Sequence, residues 1–358
     1  MRGMAGITRR TSRNSVNKKA GIKPSIFSIQ VWGFPRQSHG VSTTPCGHNF
    51  RYTGPTPTGS LAFMMSSDWW VQMAKLYTFV VLPLFLALTV ETASGQTSGK
   101  PETVVIHSGS ATLHGMLWRP QGSGPFPAIL LNHGSGRTRE DLERLGPYER
   151  NAEILGPVFA SHGYVFLYLF RRGVGLSADQ GANAVELMNG ESAAHGQGAR
   201  NALQMQLLEN REMDDAISGL KFLRALPYVE AHNVGVVGHS FGGSLTVLMA
   251  EREANLRAVV VFSCAGYSFD RSPELRARLL AAVDHIAAPV FFIHAENDYS
   301  LSSGKVLDTR RGQTGKPHRL KIYPPIGNTP DEGHDFLHLG VNIWEPDVFA
   351  FLDENMRR

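Results

Sequence analysis

The stretch "NVGVVGHSFGGSLTVLMA", residues 233–250, decides how this sequence is read. An apolar run, Val234 to Val237, meets a helix-forming run at a serine set between Gly238 and Gly242. A G-x-S-x-G pentapeptide arises by chance roughly 0.3 times in a chain of this length and composition, so the letters alone say little. Context says more. A strand before the serine and a helix after it force a sharp turn, and the flanking glycines remove side chains that would collide there. Ser240 is therefore read as an exposed nucleophile on a strained turn, not as a small residue in an ordinary loop.

Outward from this point, short β-rich runs alternate with longer helix-like ones from about residue 101. "ETVVIHS" and "ATLHGMLWRP" predict an antiparallel opening hairpin. "FPAILLNHG" and "YVFLYLF" are almost continuously apolar, as strands buried on both faces of a sheet must be. "ERNAEILGPVFASHG" predicts a helix between them, and a long helix is expected near 199–225, ending before Pro227. After the serine come a helix near 241–252, the strand "RAVVVFSCAG", the helix "PELRARLLAAVDHI" and the strand "PVFFIHAEND". A short helix near 302–311, the strand "HRLKIYPP" and a closing helix in "EPDVFAFLDENM" complete the chain. Strands separated by helices imply a parallel sheet covered on both faces, in one domain of about 260 residues. The stretch 177–198 interrupts the alternation and reads either as a lid over a pocket or as an ordinary excursion loop.

Composition narrows the function classes. The 358-residue chain has a formal charge of +4, but residues 1–72 hold nine Lys or Arg against one acid, Asp68. From Gln96 onward 25 basic residues face 29 acidic ones, so no nucleic-acid footprint is present there. Lys75 precedes an uncharged run at 76–90, and Ala93 and Gly95 supply small residues before Gln96, the layout of a secretory signal peptide over 73–95. The alternative is an uncleaved anchor over 76–90, but fifteen residues fall short of the roughly 20 that span a bilayer. No stable membrane span is expected after cleavage. Residues 1–72 are expected to be a disordered extension, sequence upstream of the true start, or a transit peptide. The domain would then occupy 96–358. Only Cys46 and Cys264 exist, so the domain alone forms no internal disulfide, and no metal spacing such as C-x-x-C or H-E-x-x-H occurs.

With these residues in view, residues 101–355 resemble an α/β-hydrolase, most closely the dienelactone hydrolase-like and prolyl oligopeptidase-like branches. The resemblance implies a mostly parallel eight-stranded sheet with helices on both faces, and a nucleophile, an acid and a histidine in that order along the chain. It implies no metal and no organic cofactor. A serine hydroxyl needs a base to take its proton. His334 in "DEGHDF" lies where the family places its catalytic histidine, and His338 is the alternative. Asp298 ends the run "PVFFIHA" at the sheet edge where catalytic groups collect, and it would orient the histidine. Glu296 is its alternative, and Ala295 stands where the family usually has glycine. Oxyanion donors, worth about 3 kcal/mol each, would be the amides of Phe241 and of Ser135 in "AILLNHGSG". His133 reads as a structural residue beneath that turn. In "FRRGVGLS" the family's arginine organises the rim of the site; Arg171 or Arg172 could instead bind a substrate carboxylate.

The expected activity is that of an exported serine hydrolase acting on a small-molecule ester or amide substrate, with carboxylic esters foremost. A serine peptidase or acyl-transferring relative is the second reading, although residues 1–72 are too few for the propeller common in the peptidase branch. A non-catalytic binding protein is the third. True dienelactone hydrolases use a cysteine nucleophile, so Ser240 argues against that particular reaction. The sequence does not set the oligomeric state.

Overall fold

A computed structural model describes residues 99–357. The expected extension at 1–72 and signal peptide at 73–95 lie outside the described residues, as does Cys46. The described residues belong to one unit, 89–358. Eight strands form one sheet: β1 Glu102–Ser108, β2 Ala111–Trp118, β3 Phe126–Asn132, β4 Val165–Phe170, β5 Val229–His239, β6 Val259–Phe262, β7 Val290–Ala295 and β8 His318–Tyr323. Their spatial order is β1-β2-β4-β3-β5-β6-β7-β8. The pairs β1/β2 and β2/β4 are antiparallel and all others are parallel. The opening hairpin and the mostly parallel sheet are those expected from the sequence.

The apolar runs form central strands because both their faces are covered. In β4 all six residues are buried. Val165, Leu167 and Leu169 enter one core layer, whereas Phe166, Tyr168 and Phe170 enter the other, as the two-residue period of a strand requires. The helices are α1 Arg139–Leu145, α2 Glu149–Ser161, α3 Ala184–Glu209, α4 Arg211–Ala225, α5 Phe241–Arg252 and α6 Ser268–Arg271. They continue with α7 Pro273–His285, α8 Ser302–Gln313, α9 Pro330–His334, α10 Phe336–Leu339 and α11 Val341–Met356. Helices α4, α5 and α7 pack on the first layer, and α2 and α11 on the second, where Phe159 meets Phe166 and Phe349.

Two expectations are corrected. The single helix near 199–225 is two helices, divided at Asn210, which has φ −124° and ψ −94°. The stretch 177–198 is not an irregular loop. A 3-10 turn at Gly175–Gln180 leads into α3, which begins at Ala184 and carries one non-helical residue, Gly196, at φ 83°. Its start is fixed by a capping box: Asn183 accepts the Glu186 amide hydrogen, and the Glu186 side chain accepts that of Asn183. Gly190, Gly196 and Gly198 disguise this helix in the sequence by weakening its helical signature. Helix α1 is also present where no helix was expected.

Candidate active site

The turn between β5 and α5 places Ser240 at φ 56° and ψ −119°, a conformation costly for any residue but glycine. The surrounding chain holds it there. A Cβ at Gly242 would lie 2.0 Å from the Asn132 carbonyl oxygen and 2.1 Å from that of His133. One at Gly238 would lie 2.4 Å from the Gly242 carbonyl oxygen and 2.3 Å from Thr246 Oγ1. Both flanking positions therefore exclude any side chain, the physical content of the pentapeptide.

The structure brings Ser240, His334 and Asp298 together from the ends of three separate segments. His334 Nε2 is 2.8 Å from Ser240 Oγ, and His334 Nδ1 is 2.7 Å from Asp298 Oδ1. With its Nδ1–H donating to the carboxylate, the neutral ring presents the Nε2 lone pair to the serine hydroxyl. Asp298 lies in the turn after β7, where its amide donates to the Ala295 carbonyl at 3.0 Å. His334 is the last residue of α9, whose Thr329 cap accepts the Glu332 amide hydrogen. Glu296 is exposed, and His338 bonds Asp335 at 2.6 Å, so neither alternative joins the cluster.

Asp298 is more heavily partnered than the sequence suggested. Its Oδ2 accepts from His294 Nδ1 at 2.7 Å and its Oδ1 also accepts the Tyr299 amide hydrogen at 2.7 Å. Burial opposes ionisation of this carboxyl, but the bonds from His294 and His334 outweigh it and hold the group well below the usual carboxylate range. Tyr299 also stacks on His334 with ring centroids 4.3 Å apart. Behind them, His239 meets the His334 carbonyl oxygen through Nε2 at 2.8 Å. Burial, with its neighbours His334 and His338, lowers the His239 pKa to about 3.

Phe241 is the first residue of α5, whose opening amides have no acceptor within the helix. Ser135 lines the same cavity as Ser240 and Phe241. The turn carrying Ser135 is held from below. Arg171 donates through Nη2 to the His133 and Gly134 carbonyls at 2.8 and 2.7 Å, and its Nε donates to Glu212 at 2.7 Å. The Arg171 amide donates to His133 Nε2 at 3.1 Å, placing the His133 proton on Nδ1, which faces the Gly134 carbonyl at 2.8 Å. Arg171 is only 1% exposed, and Arg172 is clamped by Asp215 at 2.6 Å. Neither arginine is available to a substrate carboxylate; Arg171 instead organises the turn, and His133 is the buried structural residue expected.

The cavity over Ser240 encloses about 220 Å³. Its lining also includes Gln197, Arg200 and Gln204 of α3, and Tyr267 and Arg271 after β6. Sequence reasoning missed these residues and His294. A local signal for part of this lining existed in "SCAGY", where Ser263, Ala265 and Gly266 all adopt positive φ and turn the chain over the serine.

This sheet, with a serine at a strand-to-helix turn after its fifth strand, is an α/β-hydrolase fold. A model of the dienelactone hydrolase family matches residues 144–338, more than half of the chain, which therefore belongs to that family. Esterase EstD of Thermotoga maritima is 31% identical over 140 residues, 39% of this chain and 27% of the relative. The chain thus spans about a quarter of that curated relative's length. Among solved structures, the Pyrococcus horikoshii acylaminoacyl peptidase is similar with a TM-score of 0.51 and 16% identity over 73% of this chain and 42% of that one. A Klebsiella pneumoniae protein assigned as a dienelactone hydrolase has a TM-score of 0.50 and 17% identity, over 71% of this chain and 98% of that one. These two similarities concern the fold. Among the described residues no helix is long and apolar enough to cross a membrane.

Proposed function

We propose that this protein is a serine hydrolase of small carboxylic esters working through an acyl-enzyme. Ser240 Oγ attacks the ester carbonyl carbon while His334 Nε2 takes its proton. Asp298 keeps the ring in the reactive tautomer and stabilises the imidazolium. The amides of Phe241 and Ser135 donate hydrogen bonds to the oxyanion. The tetrahedral intermediate collapses, its C–O bond to the alcohol breaks, and His334 returns the proton to the leaving alcohol. A water molecule, deprotonated by His334, then releases the acid and restores Ser240. The single observation that carries the reading is the file Ser240 Oγ, His334 Nε2, His334 Nδ1, Asp298 Oδ1, with bonds of 2.8 and 2.7 Å, at a serine held in positive φ. The ester reading is supported by the 31% identity to Esterase EstD over 140 residues. The test is a panel of p-nitrophenyl esters of rising acyl length beside aminoacyl and peptidyl anilides. Short esters should turn over and the Ser240→Ala variant should not; faster cleavage of the anilides would reassign the protein as a peptidase.

Export belongs to the same proposal and is supported by Lys75 and the uncharged run at 76–90. N-terminal sequencing of the cell-free protein should begin near Gln96, and a chain starting well before Leu76 would refute it.

A further inference from the structure

Three residues with metal-ligating atoms converge beside the triad without belonging to it. His239, Asp335 and His338 each present one such atom, and the three atoms lie within 4.8 Å of one another. None of the three lines the cavity over Ser240. Two separate parts of the chain supply them. His239 ends β5, next to Ser240, while Asp335 and His338 stand three residues apart where α9 gives way to α10, a spacing that sets side chains on one helical face. The His239 and His338 rings meet edge to face, with centroids 5.5 Å apart.

The hydrogen bonds these side chains already make leave lone pairs unused. His239 Nε2 is 2.8 Å from the His334 carbonyl oxygen, which only accepts, so Nε2 carries the proton and Nδ1 keeps the lone pair. In His338, Nδ1 is 2.6 Å from Asp335 Oδ1, and Nε2 is buried with no hydrogen-bond partner. With its side chain only 5% exposed, that nitrogen is a buried polar atom of the kind a fold ordinarily satisfies. The Asp335 side chain is 39% exposed and opens the cluster to solvent, which gives an ion its way in. Arg137, whose positive charge reaches Asp335, is itself taken up by the Gly146 carbonyl at 2.6 Å and by Asn151 at 3.3 Å. Three donors at about 2.0–2.2 Å from one tetrahedral ion stand roughly 3.4 Å apart, so modest side-chain rotation closes the cluster to ligation.

We propose that His239, Asp335 and His338 bind one divalent transition-metal ion, zinc foremost. Two imidazole nitrogens and a carboxylate suit that class, whereas Mg²⁺ and Ca²⁺ take oxygen donors. The ion does not touch the ester, because its ligands lie outside the cavity. It is structural: it ties the residue before Ser240 to the residue after His334. The site stands independently of the reading of Ser240 as the nucleophile.

The test uses the untagged full chain, stripped with EDTA, desalted, and titrated with ZnCl₂, CoCl₂ or MgCl₂. One zinc per chain should bind by elemental analysis. At about 100 times its dissociation constant, zinc should raise Tm by about 5–10 °C, whereas Mg²⁺ should leave Tm unmoved. Cobalt should give the visible absorption of a nitrogen-ligated ion of low symmetry. Asp335→Asn and His338→Gln should each weaken zinc binding at least about tenfold and remove the cobalt absorption. His195→Gln, at an exposed histidine that pairs with Glu191, should keep both. Asp335→Asn preserves the shape of a partly exposed side chain, so with circular dichroism unchanged its loss of binding reports ligation. No Tm rise with zinc, or zinc binding undiminished in both Asp335→Asn and His338→Gln, would overturn the proposal while leaving the hydrolase reading intact. Fluorophosphonate labelling of Ser240 tests that reading separately.

Discussion

His334 and His294 bind opposite oxygens of one carboxylate, each through Nδ1 at 2.7 Å from Asp298. The first bond faces the cavity; the second is wholly interior, with His294 only 1% exposed. His294 therefore acts as a positioning residue that fixes the rotation of Asp298 and leaves Oδ1 aimed at His334. Asp298→Asn should reduce kcat on the order of 10³- to 10⁴-fold by disfavouring the required tautomer. His294→Gln should cost about tenfold in kcat/KM and shift the acid limb of the pH–rate profile, with the fold retained by circular dichroism. An unchanged profile would show that His294 serves packing alone.

Burial makes two histidines depend on pH in a definite direction. His239 is lowered to about 3 and His133 well below its ordinary value, chiefly by desolvation. Both stay neutral in the folded protein while the unfolded chain takes up protons below its histidine pKa near 6.5. Stability should therefore fall as pH drops from about 6.5 toward 4, at up to about 1.4 kcal/mol per pH unit for each group. His239→Gln should flatten that slope in thermal melts. Asp298 adds nothing in this window: its depressed pKa contributes stability that is lost only as pH falls below the ordinary carboxylate value.

Glycines separate by what surrounds them. Gly242→Ala must displace backbone at about 2 Å, and should abolish turnover and destabilise the domain by about 1–3 kcal/mol or more. Gly190, within α3, has nothing within 4 Å of its prospective Cβ. Gly190→Ala should stabilise by about 0.5–1 kcal/mol with activity kept, read as a higher Tm.

Cys264 is fully buried, and desolvation pushes its thiol up to about 12. It should not react with Ellman's reagent in the folded domain and should titrate as one thiol once unfolded. Rapid labelling of folded protein at Cys264 would contradict its place beneath the nucleophile turn.

The sheet was legible because its central strands are buried on both faces, so "YVFLYLF" and "PVFFIHA" carry their environment in their composition. Ser240 and Asp298 were legible as candidates because each ends or follows such a run, and His334 because it lies between the last strand and the closing helix. Helix α3 was not, since three glycines thin its helical signal and its capping box at Asn183 and Glu186 lies ahead of them. The partner of Arg171 was not, because Glu212 is 41 residues from it. Such pairings are fixed by the register of the sheet and carry no local pattern.

The central claim is that Ser240 is a nucleophile activated by His334. Its most direct test is intact-mass measurement of the protein after brief exposure to a fluorophosphonate. One adduct per chain, mapped to Ser240, absent in Ser240→Ala and slowed at least 10³-fold in His334→Ala, is the predicted result. No adduct at Ser240, or labelling that persists undiminished without His334, would contradict it.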